Sequence, residues 1–344
     1  MSALAALVLV SYNGGERLRP CLTSLLATTA PDVDILVIDN ASSDGSPEEL
    51  RRLADEHPRL RIHLENQNLG YAWAANEALA ECRTPYLGVL NMDLVFEPGW
   101  LEPLVRLLEE RPEVAAVNPL VLLHGTDRVN TCGHDVHVTG LGFTRALGQP
   151  SSQMGPEPVE VRGISGAAFV VRVDVLRRLG GIDPTGFLYH EDTNLSWLLR
   201  LTGHTLYCVP KARVQHGYAL SMSPSKLFLL ERNRWTMLLS YLSPAGAILI
   251  APVLLFSEAL VWGFCLLKGT PFLMAKTRSY RSVLSRRKAV AERRRLIRRI
   301  RAYPDWRLFL KLRWGYPVGQ LLSIAREGPK AHRDHLAPVP APPG

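Results

Sequence analysis

Residues 34–56 read DILVIDNASSDGSPEELRRLADE. The apolar run Ile35–Asp39 ends on an acidic residue, passes through Asn, Ser, Asp and Gly, and gives way to an amphipathic segment. Branched residues in a short run, then turn formers, then a helical period define a strand–loop–helix unit. Ser46 in capping position, Pro47 at the first helical position and Glu49 three residues beyond Ser46 predict a capped helix over Pro47–Glu56. The unit recurs on both sides. Strands are expected at Ala5–Val10, Arg61–Glu65, Tyr86–Asn91 and Val114–Asn118, and helices at Arg17–Leu26, Tyr71–Ala80 and Gly99–Glu110. This alternation is that of an α/β fold, a Rossmann-like, mostly parallel sheet flanked by helices.

In such a sheet the ligand crevice lies at the carboxyl ends of the strands. Three expected strands run there into polar residues: Val10 into Ser11-Tyr12-Asn13, Ile38 into Asp39-Asn40, and Leu90 into Asn91-Met92-Asp93. Asp39 is placed to accept from a base N–H or ribose hydroxyl, with an Asx-turn as the competing use. Asn91-Met92-Asp93 has the form of an element that holds Mg²⁺ or Mn²⁺ together with a substrate phosphate. His190-Glu191-Asp192 sets three titratable groups side by side ahead of a helix expected from Thr193 to Leu201, so Asp192 is read both as a base and as a helix cap. His216 ends an expected strand and is a candidate metal ligand or a structural histidine.

Residues 121–165 are expected to form loops and short strands around an acceptor pocket. A strand and helix follow over Ala167–Leu179, then a closing pair of strands, Leu206–Val209 and Arg213–Gln215, and a helix over Ser225–Tyr241.

The 344 residues are 47% hydrophobic, enough for a sizeable core. The five scattered cysteines show no paired spacing, which excludes a disulfide framework or zinc knuckle and fits a reducing compartment. No basic segment precedes the first apolar run, so a signal peptide is not expected. The net charge of +8 is uneven: residues 246–344 hold 19 Lys+Arg against 5 Asp+Glu, leaving the remainder net acidic. Such a tail fits an anionic surface, and lipid is favoured over nucleic acid, for which no recognition motif is present.

Ala247–Leu267 is almost wholly apolar and about long enough to span a bilayer. A single span would place the basic tail against the positive-inside tendency, and Glu258 would sit within lipid. The segment is therefore expected to be interfacial or re-entrant, with a helix packed on the body of the protein as the rival. A basic helix over Lys276–Arg301 and a polyproline-type end at Ala337–Gly344 follow.

Taken in order, VLVSYNGGERLRPCLTSLL, ILVIDNASSDGS, NQNLGYAWAANEAL, YLGVLNMDLVFEPGWL, SGAAFVVRVDVLRRLGGID, FLYHEDTNLSWLLRLTGH, RVQH and ERNRW closely resemble the family-2 inverting glycosyltransferases of GT-A fold, especially their rhamnosyltransferase-like branch. The resemblance implies a nucleoside-diphosphate sugar donor bound by Ser11, Asn13, Asp39, Asn68, Gly70, Asn91 and Asp93. It implies a metal at Asp93 and His216, and Asp192 as general base with Glu191 in support. Gly166, His190, Arg232 and Arg234 would lie toward the acceptor, a glycan or lipid-linked glycan, with the two arginines as candidate phosphate or membrane contacts. The implied division is a donor half over 1–120, an acceptor and catalytic half over 121–243, a membrane-associating region over 244–303 and an extension over 304–344. The implied place is the cytoplasmic face of the cell membrane. Asn91 and Asn194 depart from the Asp common in relatives, which keeps open a binding scaffold without turnover. A nucleotidyltransferase is the other alternative, although Ser11–Gly15 lacks the Lys of its phosphate loop, and no G-x-G-x-x-G marks a dinucleotide oxidoreductase.

Overall fold

The structure is a computed structural model and describes residues 4–217 and 221–326. The first half builds one wing of a sheet from strands β1 (Ala5–Ser11), β2 (Asp34–Asp39), β3 (Leu60–Leu64) and β4 (Tyr86–Asn91). Between them run helices α1 (Leu18–Thr28), α2 (Ser46–Glu56) and α3 (Tyr71–Glu81). In α1 the buried residues Leu18, Cys21, Leu22 and Leu25 recur at the helical spacing that makes one apolar face. Then come β5 (Leu94–Phe96), α4 (Glu102–Glu110) and the long, almost wholly buried β6 (Val114–Leu123).

The second half contributes β7 (Val129–Thr131), β8 (His134–Val136), β9 (Gly142–Thr144), β10 (Val159–Glu160), β11 (Ala168–Arg172), α5 (Val173–Arg178), α6 (Glu191–Leu201) and β12 (Thr205–His216). The main sheet runs β10-β12-β6-β11-β4-β1-β2-β3, with β5 on β12 and β7 on β6. Strands β1 to β4 pair in parallel, whereas β11 is antiparallel to both its neighbours, β4 and β6. Strand order reverses at β1, between β2 and β4, so the crevice opens beside Ser11 and Asn91. One apolar cluster packs α1, α2 and α4 on one face of the sheet. The other packs α3, α5 and α6 on the opposite face.

Beyond the sheet lie α7 (Pro224–Tyr241), α8 (Pro244–Lys268), α9 (Thr270–Ser285), α10 (Arg287–Ile300), α11 (Asp305–Lys311) and α12 (Val318–Arg326). Ser243 caps α8 by accepting from Gly246 N–H, and Pro244 opens its first turn. This helix is long and apolar enough to cross a membrane. Its polar residues nevertheless face the protein: Ser257 lies 2.9 Å from Thr139, and Glu258 pairs with Arg234 and Lys276. Its outer face carries Ile248, Leu249, Leu255, Phe256, Leu266 and Leu267, all exposed.

Four local expectations are corrected. Ser46 is not the cap of α2 but its first residue, because its hydroxyl is taken by Gly15 N–H at 3.2 Å, and Glu49 turns instead to Arg19 and Arg52. The two strands expected over 206–215 are one, with an irregular register between Val209 and Arg213 that accommodates Pro210. The basic helix breaks at Arg286 into α9 and α10, and Lys276 is buried among carboxylates rather than displayed. The helix after His190 starts at Glu191, so Asp192 lies in its first turn and is not its cap. The polyproline-type end lies outside the described residues.

Candidate active site

The donor side is two loops laced together. Asp39 closes an Asx-type turn, accepting from Ser42 N–H at 2.8 Å and Ser42 hydroxyl at 2.6 Å. Asn13, in left-handed conformation, donates its N–H to the Ser42 hydroxyl and accepts from Ser43 N–H at 2.9 Å. Ser11 is fully buried, and among the described residues its hydroxyl has no hydrogen-bond partner. Asn68 accepts from Gly70 N–H, closing the turn that leads into α3. Gly70 has φ +93°, and a Cβ there would lie 2.2 Å from the carbonyl oxygen of Phe187. Its glycine is thus explained by the passage of the 184–190 segment, not by a ligand; Tyr71 N–H bonds that same carbonyl at 3.1 Å.

Strand pairing assembles the metal side. Because β12 runs antiparallel to β5 with His216 opposite Leu94, the imidazole reaches back to Asp93. His216 Nε2 is 3.1 Å from Asp93 Oδ1, and Arg17 lies 3.8 Å from Oδ2. Burial opposes ionisation of Asp93, but His216 and Arg17 outweigh it and hold the carboxyl below its ordinary range. His216 Nδ1 is 3.0 Å from Asn130 Oδ1. The ring is thereby held with Nδ1 toward Asn130 and Nε2 toward Asp93. Asn130, a polar residue in a short strand, was not foreseen, and nothing local in its sequence marks it.

The second cluster lies where α6 starts. Asp192 Oδ2 accepts from Gly166 N–H at 3.0 Å and lies 3.2 Å from His134 Nδ1, while Oδ1 accepts from Thr193 N–H at 2.6 Å. A Cβ at Gly166 would come 3.3 Å from Asp192 Oδ2, so the small residue admits the carboxylate itself. Tyr71 hydroxyl donates to Gly166 O at 2.8 Å, tying α3 to the same loop. Burial resists the ionised form of Asp192, yet His134 and the two amides hold its carboxyl down to about 2. Glu191 goes the other way, pushed up to about 8 by burial and by the Asp192 charge. Two adjacent carboxyls thus differ in state at neutral pH: Asp192 an anion, Glu191 an acid.

The approach to α6 is held in an unusual shape. Phe187, Tyr189 and His190 all have positive φ, each costing on the order of 1 kcal/mol or more. Asn233 of α7 offsets this by donating to Gly186, Leu188 and Tyr189 carbonyls at 2.7 to 3.0 Å. It is a site residue missed between two that were named. Arg232 is buried, bonding Gly186 O and Asn233 Oδ1, and burial together with nearby Arg286 lowers its guanidinium to about 9. Arg234 is buried against Glu231 and Glu258 and donates to Thr139 O, so it is a core cation and not a phosphate or membrane contact. His190 is buried with Nε2 2.7 Å from Gly140 O, which makes it a brace for the helix start rather than an acceptor contact. Asn194 accepts from Tyr241 hydroxyl, which fixes α6 to α7.

A sheet of this order, with an acidic crevice at its reversal and a second carboxylate pair brought over it by an antiparallel half, defines the GT-A class of sugar transferases. The chain belongs to glycosyl transferase family 2, whose sequence model matches residues 6–180. It is 26% identical over 243 residues to the N-acetylglucosaminyl-diphospho-decaprenol L-rhamnosyltransferase of Mycobacterium tuberculosis, covering 64% of this chain and 78% of that one. It is 29% identical over 208 residues to the pre-mycofactocin glycosyltransferase of the same species, covering 60% of this chain and 41% of that one. Among solved structures, GalNAc-T7 with UDP, GalNAc and Mn²⁺ superposes with a TM-score of 0.57 at 18% identity, over 70% of this chain and 48% of that one. A mannosyltransferase from Pyrobaculum calidifontis with GDP-Man and Mn²⁺ gives 0.51 at 15% identity, over 94% and 86%. These two likenesses speak to the fold.

Proposed function

We propose that this chain moves a sugar, with rhamnose the favoured candidate, from a nucleoside-diphosphate donor to a glycan or lipid-linked acceptor with inversion. The observation that carries this reading is the pairing of two carboxylate centres across the crevice: Asp93 with His216 at the end of β4, and Asp192 beside Gly166 at the start of α6. Residues 1–120 supply the donor loops and 121–243 the acceptor side. The base function is centred on Asp192, with Glu191 its neutral neighbour. Direct displacement needs no covalent nucleophile, and no further group is required of the protein for one.

Asp93 and His216, 3.1 Å apart, form an oxygen and nitrogen donor set that suits Mn²⁺ or Mg²⁺. Among the described residues no third His, Cys, Asp or Glu joins them, so the donor diphosphate and water would complete the shell. Bound there, the cation would neutralise charge on the departing diphosphate. Asn91 lowers the charge of this site relative to relatives with a second Asp.

The same reading places the chain at the cytoplasmic face of a membrane. The exposed apolar face of α8 and the exposed Arg287, Lys288, Arg295, Arg298 and Arg299 of α10 support it, each cation near anionic lipid contributing about 1 kcal/mol. Similarity to an enzyme whose name specifies a decaprenol-linked substrate points the same way.

Calorimetric titration with thymidine, uridine and guanosine diphosphates tests the donor assignment. Binding of one nucleotide that strengthens with Mn²⁺ and loses that dependence in Asp93→Ala is expected. No binding of any of them, with or without Mn²⁺, would sink the transferase reading and favour a scaffold.

A further inference from the structure

We propose that Arg232, Arg278 and Arg286 form a binding site, between α7 and α9, for the phosphate or diphosphate group of a lipid-linked acceptor. The inference rests on the reading above and deepens it: the acceptor is held by an anionic group of its own, apart from the donor diphosphate.

The first observation is a charge without a counterion. Among the described residues Arg200, Arg232, Arg234 and Lys276 are the buried cations. Arg200 pairs with Glu160 at 2.8 Å, and Arg234 and Lys276 share Glu231 and Glu258. Arg232 forms no ion pair among the described residues; it donates only to neutral oxygens, Gly186 O from Nη2 and Asn233 Oδ1 from Nε. Its Nη1 makes no hydrogen bond there and is not shut off from solvent. A buried charge is ordinarily paired, so an anion is the missing partner.

The second observation is convergence. Phe228 precedes Arg232 by one turn of α7, and its ring centroid lies 5.4 Å from the Arg232 guanidinium and 5.8 Å from that of Arg278. Arg286, at the end of α9, donates to Thr185 O, the carbonyl next to the one that Arg232 holds. Three guanidinium groups from two helices thus meet around Phe228 and the Thr185–Gly186 turn. Arg286 is close enough to Arg232 to help burial lower its guanidinium to about 9. The carboxylate that reaches Arg286 is Asp183, already engaged by Thr185 N–H and hydroxyl at 3.0 and 2.7 Å and by Arg293 at 3.7 Å. The excess charge is positive, and the planar forks of arginine match the oxygens of phosphate.

The surroundings select a lipid phosphate. Phe228 continues into an apolar cluster with Val261 and Phe264 of α8 and Phe272 of α9, all partly buried, and α8 ends beside it in exposed Leu266 and Leu267. An anion site at the head of an apolar track fits a molecule with a charged head and a hydrocarbon tail. On the other side, the turn held by Arg232 and Arg286 runs through Phe187–His190 into Glu191 and Asp192. A sugar anchored by its phosphate at this turn would extend toward the start of α6. The resemblance named Arg232 together with Arg234; packing sends Arg234 into the core and brings Arg278 and Arg286 to Arg232 instead.

Calorimetric titration of the full-length protein in the absence of Mn²⁺, with farnesyl diphosphate and farnesol as probes, tests the site. Farnesyl diphosphate is expected to bind, and farnesol at least about tenfold more weakly. Arg278→Gln, at an exposed position, and Arg286→Gln are each expected to weaken farnesyl diphosphate about 10- to 100-fold, the loss of one charge-assisted contact. Arg232→Lys, which keeps the charge and loses the fork, is expected to weaken it as well, with Mn²⁺-dependent nucleotide binding unchanged in all three variants. Equal affinity for the two probes, or unchanged affinity for farnesyl diphosphate in the three variants, overturns the proposal. Flotation with phosphatidylglycerol vesicles separates the other source of phosphate: variants that lose vesicle binding yet keep farnesyl diphosphate make the cluster a headgroup contact and overturn it too. Failure of every nucleotide to bind the wild type is a distinct outcome, which removes the transferase reading and this proposal with it.

Discussion

Lys276 offers the sharpest test of how the C-terminal helices are joined to the transferase body. Its side chain is fully buried, in contact with Glu231 and 2.8 Å from Glu258, and both carboxylates also pair with Arg234. The four charges sum to zero. Replacing Lys276 by Met keeps the apolar stem and removes one cation, so the cluster becomes a buried monoanion. Breaking a buried ion pair in this way costs about 3–5 kcal/mol, because the remaining charge loses its partner without regaining water. At about 2 °C per kcal/mol for a chain of this size, the melting midpoint should fall by roughly 6–10 °C. Circular dichroism at 222 nm on heating reads it directly. The double variant Lys276→Met with Glu231→Gln restores neutrality and should recover much of the loss. A single variant melting within about 1 °C of wild type, or a double variant no better than the single, refutes the argument.

Two further outcomes follow from the site and the surface. Glu191 binds its proton more tightly folded, at about 8 against 4.5 for an ordinary glutamate, so the stability it contributes is present at low pH and lost as pH rises through about 8. Glu191→Gln, which stays neutral, should therefore gain on wild type between pH 5 and 8 by a few kcal/mol and then run parallel; melting curves parallel throughout would remove the assignment. Leu255→Asp with Leu266→Asp on the outer face of α8 should abolish co-flotation with vesicles containing anionic phospholipid while leaving the melting midpoint unchanged. Undiminished flotation of that variant would dissociate α8 from the membrane.

Much of the first wing was readable because its determinants are local. The apolar spacing of α1, the turn-rich ends of β1, β2 and β4, and Pro47 after a loop each act within a few residues. Errors arose where a side chain was claimed from far away. Ser46 had every mark of a cap until Gly15, 31 residues distant, took its hydroxyl. Leu206–Val209 and Arg213–Gln215 read as two strands, and the fold runs them as one with a register irregularity between Val209 and Arg213. Arg234 read as a phosphate or membrane contact and Lys276 as the start of a basic helix, and only tertiary packing brings them to Glu231 and Glu258. The same limit hid the supporting residues: Asn130, His134 and Asn233 meet His216, Asp192 and the 186–189 carbonyls across 86, 58 and 44–47 positions.

Helix α7 shows why the hydrophobic C-terminal region cannot be treated as a mere anchor. From one side Asn233 clamps the left-handed approach to Glu191, and Tyr241 holds Asn194 three residues beyond it. From the other, Glu231 and Arg234 bind Lys276 of α9 and Glu258 of α8. Arg234 also bonds Thr139 O, and the next carbonyl, Gly140 O, receives His190 at the cap of α6. An outward displacement of α8 would draw Glu258 from Arg234 and loosen the loop on which His190 rests. Ionic pairing inside, with an apolar face outside, is the reverse of a soluble amphipathic helix. It keeps α8 seated on the protein and leaves its leucines outward, so that under the proposed membrane reading the same helix that would meet lipid is tied through α7 to the carboxyl groups of α6.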